Sequence, residues 1–320
     1  MAADFIAKRC LAIIRGITIW ALTFLACSCE TVVPYPVTGE EMMLYVNGVA
    51  EDKKTTISVR KIFHITDKNF VMRKSATMLD ATMLLTVNGK EIETRCSNDS
   101  LECLFRADYE LIPGDKVTLK VSAPGMRDAS CEVTIPDFAE IIGMSYVKVD
   151  DNILNFSASV QTNPGDMDGY VYSLEVETGT RKYVDGALAL EKIDTLRYSL
   201  HCRDQVKDVS YNDFPVTGYE DADGKGIHSL STSIGLSQTL EVIEGDGHTV
   251  RTERVARRVR LSALHLSTPL YLGLKTQRNI SDDASYSDVL FVSPLEYSNI
   301  FGGKGLFGCV SAYKSEWTEL

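Results

Sequence analysis

The chain has 320 residues, 44% hydrophobic and 24% charged, with 33 Lys and Arg against 44 Asp and Glu for a formal charge of −11. This composition excludes a disordered, collagenous or polytopic membrane protein, and the length suits two domains that each bury a core. Acidity at this level (pI ≈ 5.0) argues against sequence-independent nucleic-acid binding, which needs Lys and Arg to neutralise phosphates; no nucleic-acid partner is expected.

Residues 1–26 open with Lys8, Arg9 and Arg15 and then run uncharged from Ile17 to Ala26. A basic start followed by a short apolar stretch is the layout of a secretory signal, and the stretch is too short to span a bilayer comfortably. The next residues, Phe24-Leu25-Ala26-Cys27-Ser28-Cys29, resemble the lipobox of bacterial lipoproteins. Cys27 is the favoured lipid-attachment residue because the bulky pair Phe24-Leu25 stands upstream of Ala26, and Cys29 is the alternative. Several acyl chains, at about 0.8 kcal/mol per buried CH₂, would hold the protein on a membrane without a transmembrane helix. Residues 1–26 carry three basic residues and one acid, so their removal leaves thirty basic against forty-three acidic residues, a net −13. Anionic headgroups repel such a surface, and the lipid must supply the anchoring. Residues 27–42 are read as a tether.

Cys96, Cys103, Cys131, Cys202 and Cys309 lie in the body of the chain. Cys96 and Cys103 are the best disulfide candidates, because SNDSLE between them allows two strands to turn back. From Met43 onward the chain reads as strands between turns: MLYVNGV, TISVRKIF, ATMLLTVNGKEIE, DKVTLKVSA and SCEVTIP are rich in Val, Ile, Leu and Thr. Asn47-Gly48 and Asn88-Gly89 read as hairpin turns, and Pro113-Gly114 and Pro124-Gly125 bracket the strand between them. Strands at close spacing without amphipathic helices predict an all-β protein, with an immunoglobulin-like β-sandwich over 43–138. A larger β-rich domain is expected over 139–320, from SYVKVDD, ILNFSASVQT, YVYSLEVET and RKYVDGALALEK onward. Any short helix is expected between Thr195 and Gly247. Residues 249–267 fit a helix or a long strand, and the β-rich setting favours the strand; PLYLGLKTQ and VLFVSP read as further strands.

Chemistry-bearing motifs are sparse. His64, His201, His228, His248 and His265 are scattered without paired spacing, and no CxxC appears, so neither a metal nor a cofactor is expected. The loop Asp221-Ala-Asp223-Gly-Lys225-Gly226 departs from an EF-hand at Lys225 and lacks the twelfth-position Glu, where Thr232 stands. No G-x-S-x-G elbow occurs, which lowers a hydrolase reading. Tyr170, Tyr172, Tyr183, Tyr198, Tyr211 and Tyr219 crowd one region and form a candidate binding surface, since tyrosine offers stacking area with a polar tip. Asn299-Ile300-Phe301-Gly302-Gly303-Lys304-Gly305-Leu306-Phe307-Gly308 is read as a structural turn held by its apolar residues and not as a phosphate loop, because no Walker lysine followed by Ser or Thr is present.

Four segments together resemble DUF4249, a family of Bacteroidetes lipoproteins: the lipobox, MLYVNGV, the stretch from Ala81 to TIP at 134–136, and the glycine-rich segment from Ser298 to Gly308. Lys304 departs from the apolar residue expected there. The resemblance implies an outer-membrane-associated β-rich lipoprotein serving beside a TonB-dependent nutrient receptor, with no catalytic residues to carry over. A non-enzymatic accessory or binding component is therefore expected. An adhesin or pilus-type lipoprotein is the alternative, and a surface hydrolase stands third.

Overall fold

Residues 43–62, 80–99, 102–162, 167–202, 205–218, 226–243, 248–283 and 297–320 are described by a computed structural model. Cys27, Cys29, Tyr219, most of the 221–226 loop and VLFVSP lie outside the described residues.

Alternation decides the first layers. In β7 (Lys116–Ser122), Val117, Leu119 and Val121 are buried while Lys116 and Lys120 face solvent. A strand with one apolar face must cover it, and this one does so within a four-stranded sheet ordered β4 (Lys90–Ile92), β3 (Thr82–Val87), β7, β8 (Ala129–Thr134). Opposite lie β5 (Arg95–Asp99), β6 (Glu102–Ala107), β2 (Lys54–Ile62) and β1 (Met43–Glu51). The two sheets share one core that includes Leu44, Val46, Ile57, Phe105, Leu119 and Val133, which makes this part a β-sandwich. Asn88 and Gly89 both take positive φ (51° and 79°), as a tight two-residue hairpin turn requires. Asn47-Gly48 behaves otherwise: it sits inside β1, in continuous antiparallel register with β2 from Met43↔Ile62 to Glu51↔Lys54. The expected turn there is absent because the flanking residues on both sides pair with the same strand. Gly48 instead lets the backbones approach, since a Cβ would lie 2.8 Å from Thr56 O.

The second layer pair is built on β11 (Gly169–Val184), whose first eight residues are all buried. One face of β11 and β18 (Thr249–Leu266) packs on a sheet ordered β13 (His201–Cys202), β16 (Ile227–Gly235), β10 (Ile153–Gln161), β9 (Glu140–Lys148). Leu154, Phe156, Tyr172, Leu174, Leu230 and Leu261 fill that core. The other face meets α1 (Thr268–Asp283) through Val171, Leu266, Leu270, Tyr271 and Val310. Strand β18 is therefore a strand as favoured, but PLYLGLKTQ is not: it is the start of α1. The helix wins because Pro269 occupies its first turn, where a missing N–H costs nothing, and because Leu270, Tyr271 and Leu274 recur at helical spacing against the sheet. Between Thr195 and Gly247, where a helix was expected, the described residues form β12 (Ala187–Ser199), β13, β14 (Gln205–Tyr211), β15 (Phe214–Gly218), β16 and β17 (Ser237–Ile243). RKYVDGALALEK is not one strand but a hairpin from β11 to β12, because Asp185 and Gly186 adopt φ 48° and 80°.

Along the chain Ile135 belongs to the first core and Ala139 to the second, while Glu41–Leu320 forms one compact unit. The last long strand, β19 (Lys304–Lys314), then joins both parts: it runs parallel to β1 from Tyr45↔Lys304 to Ala50↔Cys309 and antiparallel to β18 from Ser262↔Lys314 to Leu266↔Val310. The result is one 12-stranded sheet, completed by β20 (Thr318–Glu319) on β18. Glycines make this join sterically possible. Gly305 (φ 117°) leaves no room for a Cβ against Val46 O, Gly302 (φ 78°) none against Asp128 O, and Gly308 lets α1 approach, since a Cβ would lie 2.5 Å from that of Leu270. Asn299 secures the entry to the strand, donating to Phe307 O at 2.7 Å and accepting from Phe307 N at 3.0 Å.

Candidate functional site

Two concave surfaces and one charged cluster stand out. The first is a cleft of about 500 Å³ lined in part by Glu132, Asp137, Asp168, His265, Ser267 and Thr268. Strand exit and entry place these groups: Asp137 follows β8, Asp168 precedes β11, and His265 to Thr268 span the passage from β18 to α1. His265 is 3% exposed. Its Nδ1 lies 2.7 Å from Asp137 O and donates to that carbonyl; its Nε2 is hydrogen-bonded to Asp168 Oδ2 at 2.9 Å. Thr268 Oγ1 donates to the other oxygen of Asp168 at 2.6 Å, and Ser311 Oγ donates to Asp137 O at 3.0 Å. Tyr170 stacks on the imidazole at 4.4 Å between centroids, and Tyr172 stacks on Tyr170 at 6.0 Å. His228 meets both tyrosines edge-on, with its Nδ1 2.9 Å from Tyr172 Oη. Burial, first, and the neighbouring Tyr170 push the Tyr172 phenol well above its ordinary range.

This cluster is built to hold segments together. A general base needs a ring nitrogen open to the proton that it removes, and both nitrogens of His265 are committed. Of the two nearby hydroxyls, Thr268 donates to Asp168, and Ser267 Oγ accepts from Cys309 N at 2.9 Å. Among the described residues, no group of three or more His, Cys, Asp and Glu could hold a metal ion.

The second surface is the outer face of the β13-β16-β10-β9 sheet, a groove of about 560 Å³. Ser145, Ser157, Ser231 and His201 form one row across its four strands, and Asn155 and Ser233 stand in the next row. Ser145 and Ser157 hydroxyls lie 2.8 Å apart, and Ser233 Oγ donates to Asn155 Oδ1 at 2.7 Å. Hydroxyls and amides both donate and accept, so a polar ligand laid on this face finds partners of either kind.

The charged cluster lies on the opposite side of β11. Glu175, 1% exposed, accepts from Arg260 Nε at 2.8 Å and Nη2 at 2.7 Å, and from Lys314 Nζ at 2.9 Å, with Arg197 at 3.3 Å. Burial alone would raise its pKa, but the hydrogen bonds and charges of Lys314 and Arg260 outweigh it and hold the carboxyl below its ordinary value. Arg258 pairs with Glu177 at 2.7 Å, and both Arg258 and Arg260 lie over Trp317, at 4.8 and 4.2 Å from its ring centroid.

Among the described residues the predicted tyrosines do not share one surface. Tyr170 and Tyr172 are each 2% exposed, because their alternation in β11 turns them into the core. Tyr198 is half-buried against that same core, Tyr183 is half-buried near the β11 hairpin, and Tyr211 donates to Glu51 Oε1 at 2.7 Å in a third location. Cys96 is exposed on β5 and Cys103 is buried on β6, and they stand diagonal to each other across that pair with their side chains in hydrogen-bond contact. Cys131 and Cys309 are buried thiols; burial, first, raises Cys131 to about 11 and Cys309 higher still, which keeps both unreactive. Sequence reasoning missed the pairing of His265 with Asp168. Its only trace was Asp168 one residue before the tyrosine-rich β11 and His265 inside the leucine-rich end of β18, and the β11–β18 register that brings them together, with Tyr170 opposite His265, is tertiary.

A family model described as a domain of unknown function (DUF4249) matches residues 30–316. None of the curated proteins matches the chain. Among solved structures, BspA_C_mut superposes at a TM-score of 0.15 and 10% identity, covering 70% of this chain and 93% of its own. The Streptococcus agalactiae AgI/II polypeptide BspA C terminal domain (WT) gives 0.14 at 10% identity, covering 70% and 94%. An anti-sigma factor domain-containing protein gives 0.10 at 10% identity, covering 69% and 77%. At these TM-scores the superpositions carry no argument.

Proposed function

The chain belongs to the DUF4249 family, and from that premise we propose that it is a lipid-anchored protein of the outer membrane that acts as an accessory or binding component beside a TonB-dependent nutrient receptor. The observation that carries this is the N-terminal sequence: a basic opening, an uncharged run from Ile17 to Ala26, and then Cys27. Lipid on Cys27 anchors a body whose own surface is acidic. The polar groove on the β13-β16-β10-β9 sheet is the surface on which a ligand would lie, in place of the tyrosines. The commitment of both His265 nitrogens supports a non-enzymatic role.

Metabolic labelling with a fatty acid tests the anchor: label is expected in the wild type and in Cys29→Ala, and lost in Cys27→Ala. Crosslinking in intact outer membranes followed by pull-down tests the partner. Recovery of the chain without any receptor would overturn the accessory role.

A further inference from the structure

Strand β12 is 13 residues long and is bonded on one side only, to β11, with no strand on its other side among the described residues. Such an edge presents a row of backbone N–H and C=O groups, and proteins blunt edges of this kind with short strands, proline or a covering loop. Here there is no proline, residues 187–193 are all exposed, including Leu188 (54%), Leu190 (45%) and Ile193 (58%), and the register shift against β11 falls at the strand's start, between Leu188 and Leu190. The strand's charges, Glu191, Lys192, Asp194 and Arg197, are of both signs and so can pair across a two-fold axis as well as guard the edge.

We propose that β12 is the interface through which two copies of this chain pair edge to edge, antiparallel, about a two-fold axis at Ile193. The register follows from the sequence of the strand. Pairing about Ile193 puts Lys192 opposite the partner's Asp194 and Asp194 opposite the partner's Lys192, so the charge pair is made twice. Leu190 meets the partner's Leu196, and Glu191 meets the partner's Thr195. No like charges face each other, and opposite residues of an antiparallel pair share one side of the sheet. Lys192 and Asp194 already lie on one face, 3.0 Å apart. A two-fold interface must be complementary to itself, and β12 meets that condition. The other open edge of this ribbon, β17, does not: pairing about Leu240 sets Thr239 against Glu241 and Gln238 against Val242, with no charge pair. The joined sheets would run from β18 and β11 of one copy through both β12 strands into the other.

Sedimentation of the full chain over roughly 1–100 µM, where a micromolar dimer dissociates, is the first measurement. The wild type is expected to dimerise. Lys192→Asp and Asp194→Lys each set like charges opposite one another and are expected to weaken the dimer at least about tenfold. An equimolar mixture of the two restores both charge pairs and is expected to form the heterodimer, with circular dichroism checking that each variant is folded. Ile193→Cys, in a Cys96→Ser background, places the two thiols on the axis with Cα atoms about 4.5–5.5 Å apart, within disulfide reach. It is expected to crosslink under mild oxidation, whereas Thr195→Cys, about 14 Å from its copy at ~3.4 Å per residue, is not. A monomeric wild type, a dimer indifferent to the charge swaps, or Thr195→Cys crosslinking in preference to Ile193→Cys would each overturn the proposal.

Discussion

Substituting Glu175 by Gln tests how much of the stability of the large sheet comes from one carboxylate. The side chain is 2% exposed, whereas its partners Arg260, Lys314 and Arg197 are 24%, 39% and 54% exposed. Each charged hydrogen bond contributes about 1.5–3 kcal/mol, but the three cations regain water when released, so their contributions do not simply add. Gln still accepts from Arg260, and a loss of roughly 2–3 kcal/mol is expected. Arg260→Met leaves the acid buried with two weaker partners and is expected to cost as much or more, roughly 3–5 kcal/mol. Urea unfolding with constant m-value measures both. The pH dependence carries the sharper test. Because the folded pKa of Glu175 is lowered, its contribution is fully present above the ordinary carboxyl value of 4.5 and is lost as pH falls through the lower folded value. The stability difference between wild type and Glu175→Gln is therefore expected to be flat from about pH 5 to 8 and to shrink below about 4.5. A difference that grows on acidification, or one below about 0.5 kcal/mol at neutral pH, would refute the claim that the cluster stabilises the ionised form.

His265→Leu removes one partner of a buried pair and leaves Asp168 with Thr268 alone, so a loss of about 3–5 kcal/mol is expected in urea unfolding. A double-mutant cycle with Asp168→Asn is expected to return a coupling of about 1–3 kcal/mol. Gly305→Ala drives a methyl group into Val46 O where β1 and β19 pair, at φ 117°, and is expected to cost more than about 4 kcal/mol, read as lost soluble yield or a collapsed melting temperature. Under oxidising conditions the intact mass is expected to show one disulfide, mapped by peptide digestion to Cys96 and Cys103, with Cys131, Cys202 and Cys309 alkylated only after unfolding.

Much of the fold is legible because burial on one face imposes period two. Leu154, Phe156, Ala158 and Val160 in β10, and Val117, Leu119 and Val121 in β7, point inward as alternation requires. Where both faces are covered the rule loses its power. Residues 169–176 in β11 are buried throughout, so the sequence shows tyrosines and valines together without saying which of them meets solvent. That is why Tyr170 and Tyr172 looked available for a ligand.

Turn chemistry is equally divided. Asn88-Gly89 and Asn47-Gly48 are the same dipeptide, yet only the first turns, since pairing of β1 with β2 on both sides of Gly48 overrides the local preference. Pro269 and the leucines after it were compatible with strand spacing, and the helix formed because the sheet face beneath it needed cover.

The sequence by itself determined the β character, the acidic surface and the family, because these depend on composition, periodicity and local motifs. Only the tertiary structure decided that β19 lies between β1 and β18, that Glu175 gathers three cations, and that His265 closes on Asp168. Each of those joins residues separated by dozens to hundreds of positions. The pairing of strands far apart in sequence, and the glycines that let backbones approach, set such contacts, whereas Arg197 reaches Glu175 through the β11–β12 hairpin that Asp185-Gly186 turns.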